Sequence, residues 1–227
     1  MFTLSRGDRR IPLPPPRRVS SLSVEEALLR RRSVRSYLPK PLKLEELSML
    51  LWAAQGISDP KRGFRTAPSA GATYPLITYA VVGEGGVEGL KAGVYRYVVE
   101  KHSLTLHKPG DVRGELSEAA YSQDWVREAP ATIAFSAIFS RTTLRYGRRG
   151  FRYVFMDVGH AAQNIYLMAT ALGLGTVAVG AFNDEEVSAT LSLSPEETPV
   201  YLMPVGKPSK ETDTPINFKE LEKAIRK

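Results

Sequence analysis

The 227-residue sequence contains no cysteine. That excludes disulfides, a thiolate nucleophile and a zinc ribbon. Histidine is nearly as scarce. His102, His107 and His160 are widely spaced, with no HExxH pattern or His-rich tract, which argues against a histidine-based metal site. Long apolar runs are missing too. The longest, near 161–182, is interrupted by Gln163, Asn164 and several glycines, so no membrane span is expected. The N-terminus lacks the apolar core of a signal peptide, and a reducing, cytoplasmic setting is expected. Asparagine is confined to Asn164, Asn183 and Asn217, and glutamine to Gln55, Gln123 and Gln163. With abundant arginine and no cysteine, this is a thermophile-like composition.

What is present is ordinary for a folded protein: 43% hydrophobic and 24% charged residues. Disordered, collagen-like and disulfide-scaffold chains are excluded. Residues 1–18 are basic and Pro-rich and read as an extended N-terminal arm, either loose or wrapping a partner subunit; residues 19–227 read as one domain. The net charge of +7 is concentrated in two places. Residues 1–35 hold nine arginines against three acids, and 141–152 hold five arginines and no acid. Such patches point to anion sites rather than to a uniformly cationic surface.

Ser23 and Glu26 have the capping-box spacing and start a short helix that should stop near Arg32. Apolar spacing predicts a helix over 43–55 ended by Gly56. A loop is expected over 57–75, and strands over 77–82, 94–99 and 104–106. A short helix follows over 113–120, then a strand over 131–139. A long helix is expected over 153–172, a buried strand over 176–181, a helix over 184–191 and a last strand over 200–205. Without regular βαβ alternation the fold class is α+β.

Four arginines and two hydroxyls fall within Arg30 to Ser36, a set able to surround a phosphate with charge-assisted hydrogen bonds. The run Ala67 to Pro75 has only small residues between its first proline and Thr73, so its backbone can approach a flat ligand. A hydrolase role for Ser69 is excluded, because GxSxG is absent. On the long helix His160, Gln163, Asn164 and Leu167 form a polar-edged stripe that needs partners: a neighbouring backbone, a second subunit or a cofactor. The glycines around 173–180 do not fit GxGxxG, nor do those around 83–89, which excludes a Rossmann site. Gly180 can still offer a bare amide to a planar ligand. Lys207 ends the last strand.

In this order the segments RRRSVRSY, APSAGATYP, GVYRY, RYGRRGFRY, DVGHAAQN, LGLGTVAVGAF and PVGKP resemble the flavin-dependent nitroreductase superfamily, and within it the SagB/ThcOx-type dehydrogenases. They span about residues 28–208. The resemblance implies a nitroreductase-like fold, with a mostly antiparallel sheet flanked by helices. It also implies an intertwined homodimer with FMN at the subunit interface. It implies that Arg31, Arg32, Ser33 and Lys207 hold the phosphate end, with Lys210 as a further candidate, and that Arg35 approaches the pyrimidine edge. Pro68, Ser69, Ala70, Gly71 and Ala72 would line the flavin from the second subunit. Val179, Gly180 and Ala181 would place an amide near N5 and O4. The implied activity is hydride transfer between NAD(P)H or an organic substrate and an acceptor. Tyr146 is the candidate acid or base, beside Arg145.

Two departures bear on substrate. Azoline-oxidising members carry Lys-Tyr where this chain has Arg145-Tyr146, and arginine stays protonated where lysine can carry a proton. Nitroreductases proper often have Asn at the position of Ala72. The rival classes are a flavin protein without turnover and a nucleic-acid-binding protein; the second lacks any dedicated fold motif.

Overall fold

The computed structural model of the protein describes residues 10–209 and 217–226. Lys210 lies outside them. The strands are β1 (Arg10–Pro12), β2 (Ile57–Asp59), β3 (Phe64–Arg65), β4 (Leu76–Val82), β5 (Gly93–Val98), β6 (Ser103–Pro109), β7 (Ala131–Ala137), β8 (Gly175–Thr176) and β9 (Thr198–Gly206). The helices are α1 (Val24–Arg30), α2 (Leu44–Gln55), α3 (Arg113–Ala119), α4 (Asp124–Glu128), α5 (Ser140–Tyr146), α6 (Arg149–Ala171), α7 (Asp184–Leu191) and α8 (Phe218–Ile225). Seven strands form an antiparallel sheet in the order β1-β6-β5-β4-β7-β9-β8, and β2 and β3 pair separately.

Every residue of β4 and β7 is buried, because helices cover both faces of the sheet centre. Side chains alternate across a strand. Leu76, Ala80 and Val82 therefore pack with Leu47 and Leu51 of α2 and Val158, Ala161 and Ile165 of α6. Ile77, Tyr79 and Val81 pack with Leu116 of α3, Val126 of α4 and Leu191 of α7. The α+β class and the helix-flanked antiparallel sheet expected from the sequence are the observed architecture.

Local signals act as read at several points. Ser23 accepts from Glu26 N and the reciprocal Glu26 bond is present, so the capping box starts α1. Asn183 caps α7 with its side chain alone, accepting from Glu185 N and Glu186 N. The buried strand expected over 176–181 shrinks to Gly175–Thr176. Beyond it only Val179 keeps a bridge, to Leu202. Val177 and Val179 are buried without a ladder. The apolar run reflects packing there rather than strand pairing.

Arm residues 10–12 pair with β6 of the same chain, and Leu13 is buried. His102 holds the next turn. Its Nε2 lies 2.9 Å from the Pro14 carbonyl and its Nδ1 lies 2.8 Å from the Tyr97 hydroxyl. A carbonyl can only accept, so Nε2 carries the proton and Nδ1 accepts from Tyr97. Burial pushes the His102 pKa down, against the opposing pull of the Pro14 carbonyl. A histidine whose folded pKa is depressed contributes stability above its unfolded value near 6.5, lost as pH falls through the folded value. We expect the urea midpoint to fall between about pH 7.5 and about pH 5.5, and His102→Gln to flatten that slope. Parallel profiles for the two proteins would show that His102 does not set it.

Candidate cofactor and active site

Residues 31–38 run extended along the end of β8 and past β9. Ser33 bridges Thr176, Val34 N donates to Thr176 O at 2.9 Å, and Tyr37 bridges Pro208. Leu38 N donates to Lys207 O at 2.8 Å. This strip therefore brings Arg31, Ser33 and Arg35 to the sheet edge that carries Val179, Gly180, Ala181 and Lys207.

Alternation along an extended strip separates its residues. Arg31 and Ser33 share one side, both at Tyr166, whereas Arg35 lies over Trp125, which packs with Val34, Tyr37 and Ala129. Val34 is buried on the side away from Ser33, against Gly175. Arg32 is turned back on its own backbone, donating to Leu29 O at 2.9 Å and Arg31 O at 2.7 Å.

Tyr166 organises this edge from α6. Its hydroxyl accepts from Ala178 N at 2.8 Å and lies 3.1 Å from Ser33 Oγ. The Arg31 guanidinium sits 5.0 Å over its ring. Arg35 lies 5.6 Å over Trp125. Among the described residues no carboxylate lies within 4.0 Å of Arg31, Arg35 or Lys207. Arg31 beside the Ser33 hydroxyl, with Lys207 on the same edge, forms a donor set that fits a phosphate.

Gly180 is exposed, and a Cβ there would meet only Tyr201, at 3.4 Å. Nothing within the chain requires glycine at this position, and a bare backbone is what close approach of a flat ligand needs.

The second group of candidates is the loop Pro68–Ala72, a 3₁₀ turn with Gly71 at φ 59°, Ala72 at φ 53° and, just beyond, Tyr74 at φ 44°. Left-handed backbone at non-glycine residues costs about 1–3 kcal/mol each and persists where surroundings enforce it. Asp157 of α6, only 4% exposed, accepts from Ser69 Oγ at 2.6 Å and Ala70 N at 3.3 Å. Ser69 Oγ in turn accepts from Tyr74 N at 3.0 Å. Thr73 is tied to Thr142 of α5 at 2.8 Å. Burial holds the Asp157 carboxyl above its ordinary pKa, although the Ser69 and Ala70 donors pull it down.

Arg145 and Tyr146 belong to this loop. Arg145 Nη1 donates to Gly71 O at 3.0 Å. A Cβ on Gly71 would run into the Tyr146 hydroxyl and the Arg145 guanidinium. Those atoms are the ends of flexible side chains, but Gly71 also has φ 59°, where a side chain is strained, so glycine here has a reason within the chain, independently of any ligand. Tyr146 packs edge-on against Tyr153 at 5.1 Å. Of the polar stripe on α6, Asn164 donates to Ala53 O at 3.0 Å, so a neighbouring backbone partners it.

The two groups are anchored at separate points of α6. Asp157 holds the loop and Tyr166 the strip, nine residues apart on α6, or about 13 Å along the axis at ~1.5 Å per residue. The sequence reading assigned no role to Asp157 or Tyr166. Their partners Ser69, Ala70 and Ser33 lie 87 to 133 residues away in the chain, beyond the reach of local pattern; only Ala178, partner of Tyr166, is nearer, at 12.

Known proteins were compared with this chain. The profile of the nitroreductase family matches residues 28–207. A Methanocaldococcus jannaschii protein named as a nitroreductase is 50% identical over 189 residues, covering 83% of this chain and 93% of that protein. The crystal structure of a nitroreductase from Ralstonia eutropha JMP134 superposes with a TM-score of 0.79 at 30% identity, covering 91% of this chain and 93% of that one. The trifolitoxin-processing protein TfxB of Rhizobium leguminosarum bv. trifolii is 31% identical over 169 residues, which are 70% of this chain but 45% of TfxB. With sheet and profile in agreement, the chain belongs to the nitroreductase family and is an oxidoreductase of the flavin-using kind.

Proposed function

We propose that this protein is an FMN-dependent oxidoreductase, reduced by NAD(P)H or by an organic substrate, acting in the cytoplasm as a homodimer whose subunits complete each other's sites. The observation that carries this reading is the strip 31–38 held along the ends of β8 and β9, with Arg31 and Ser33 at Tyr166, Leu38 N on Lys207 O, and the bare Gly180 backbone farther along the same edge. When bound, the flavin supplies hydride acceptance and donation at N5. Arg31 and Lys207 would hold its phosphate and Ser33 would donate a hydrogen bond to it. Arg35, permanently charged, would stand near the pyrimidine edge and favour the reduced, more negative form. The amides of Val179 to Ala181 would orient the reacting edge. Arg32, turned to its own backbone, would contribute charge rather than a direct contact.

Two features support a dimer. The loop Pro68–Ala72 is anchored at a separate point of α6 from the strip of its own chain. Leu144, Phe151, Phe155 and Met156, on α5 and α6 beside Arg145, are at least half exposed, an unusual apolar face for a lone subunit. A second copy across this face would bring its loop to the first copy's strip.

The deciding experiment is the visible spectrum of the purified protein, mass identification of the released chromophore, and light scattering. A yellow dimer releasing FMN supports the reading. A colourless monomer that takes up no FMN overturns it. Steady-state reduction of a quinone or nitroaromatic by NAD(P)H then separates an enzyme from a flavin protein without turnover.

A second reading, azoline oxidation in a modified peptide, is favoured by the similarity to the trifolitoxin-processing protein. Arg145 weighs against it, since a guanidinium held on Gly71 O cannot exchange protons with substrate. Tyr146 is the remaining acid or base. Tyr146→Phe is expected to lower kcat by about 10²-fold, the low end for general acid–base groups, with flavin content unchanged. Equal rates would remove Tyr146 from the chemistry.

A further inference from the structure

Strands β4 and β5 pair from Val82↔Gly93 to Tyr79↔Arg96 and then part. Leu76 to Thr78 continue along β7 alone, and Tyr97 and Val98 along β6 alone. The splayed ends open a cleft of about 350 Å³, lined by Arg65, Thr78, Arg96, Tyr97, Glu100 and Arg141 among others. That volume is within the range of small-molecule sites, about 300–1,000 Å³.

The charges in the cleft are unbalanced: three guanidiniums face one carboxylate. Arg65 is fixed in place, with its side chain 12% exposed, Gln55 Oε1 at 2.9 Å, Glu100 at 3.7 Å and the Tyr74 ring centroid at 4.3 Å. Arg141 donates to Tyr74 O at 3.1 Å. Arg96 is half-buried and has neither a hydrogen bond nor an ion pair from its side chain to any described residue. Burial, with a contribution from Arg141, lowers the Arg65 pKa.

One further group points to a ligand. Thr78 is 2% exposed, lines the cleft, and its hydroxyl has no hydrogen-bond partner. A buried hydroxyl without a partner is costly. It lines the same cleft as the three guanidiniums and is available as a donor to an anion there.

We propose that this cleft binds a small molecule through a carboxylate or phosphate group, held by Arg65, Arg96, Arg141 and the Thr78 hydroxyl. Planar guanidiniums pair with two oxygens of such a group, and threonine donates to a third contact. Arg141 is one turn from Arg145 on α5, and together they hold Gly71 O, inside the candidate flavin loop, and Tyr74 O, just beyond it. The anion is therefore either the acidic end of the substrate itself or a separate acidic effector that acts on the loop. The site goes beyond the flavin reading, and its binding readout does not depend on it.

The test is calorimetric titration of FMN-saturated protein with inorganic phosphate and with succinate, at ionic strength held constant by sodium chloride. One saturable site per chain is expected. Arg96→Gln should weaken it by about ten-fold or more, Thr78→Val by less, and Arg96→Lys should fall between wild type and Arg96→Gln. Because both probes also fit the Arg31 strip, the Arg96 and Thr78 variants assign the heat to this cleft, and thermal melts verify that each is folded. Saturable heat absent for both probes, or undiminished in Arg96→Gln and Thr78→Val, overturns the proposal. The flavin band in the same cuvette reports the cofactor reading separately. Turnover of para-nitrobenzoate and of nitrobenzene then identifies the source. Phosphate raising KM for the acid alone marks a substrate subsite. Phosphate binding that leaves KM unchanged for both substrates marks an effector site.

Discussion

The Arg31→Ala, Lys207→Ala double variant is expected to purify colourless and to bind added FMN about 10²–10⁴-fold more weakly than wild type. Each side chain would supply a charge-assisted hydrogen bond to the phosphate, worth about 1.5–3 kcal/mol, so the pair removes about 3–6 kcal/mol. Neither has a carboxylate partner among the described residues, so removing them breaks no ion pair there. Arg31 packs over Tyr166 and Lys207 is exposed, so the fold should survive both changes. Quenching of flavin fluorescence measures the Kd directly. The loss should shrink at high salt, since part of the attraction is long-range. Arg32→Ala is the internal comparison. Its guanidinium is engaged by the Leu29 and Arg31 carbonyls, so its effect should be much smaller than that of Arg31→Ala. Wild-type occupancy in the double variant would displace the phosphate site from this edge.

That comparison also marks how far the sequence could be read. Arg31, Arg32 and Ser33 stand together in the chain, and proximity alone groups them. Their separation follows from backbone alternation, a signal that was available once the strip is taken as extended before Pro39. Elements with strong local chemistry were legible: the Ser23–Glu26 box, the helix over 184–191, and the apolar strands at the sheet centre. Helix α5 was not, because it starts from Phe139 with no side-chain cap. The run 176–181 read as a strand because buried irregular backbone and a central strand call for the same apolar residues. The candidate site divides along the same line. Residue types at the anion edge can be read from composition. Asp157 and Tyr166 cannot, since their roles depend on partners brought near only by the packing of α6 on the sheet. The glycine at 71 had a sequence explanation in ligand approach, yet its left-handed backbone and the crowding by Tyr146 and Arg145 give it a reason within the chain.

Asp157→Ala is expected to lower stability by about 2 kcal/mol and the melting temperature by about 4–8 °C, and to reduce flavin retention although Asp157 is far from the anion edge. The reason lies in the loop it holds. Ser69 Oγ and Ala70 N both donate to this carboxylate, and Ser69 relays the order to Tyr74 N. Without the acceptor, two donors in a half-buried loop are left to water, and the left-handed Ala72 and Tyr74 lose the contacts that enforce them. Asp157→Asn separates charge from acceptor. Its amide oxygen can keep one donor, so the loss at neutral pH should be well below that of the alanine variant. The pH dependence carries a definite sign. Burial raises the folded pKa above the ordinary value of 3.8. A carboxyl shifted in this direction contributes stability that is full below the unfolded pKa and is lost as pH rises through the folded one. Wild type should therefore gain on Asp157→Asn as pH is lowered from about 7 towards 4, in paired urea titrations. A stability difference constant across that range would show that Asp157 titrates alike in both states, and that its work in the loop is done by hydrogen bonding alone.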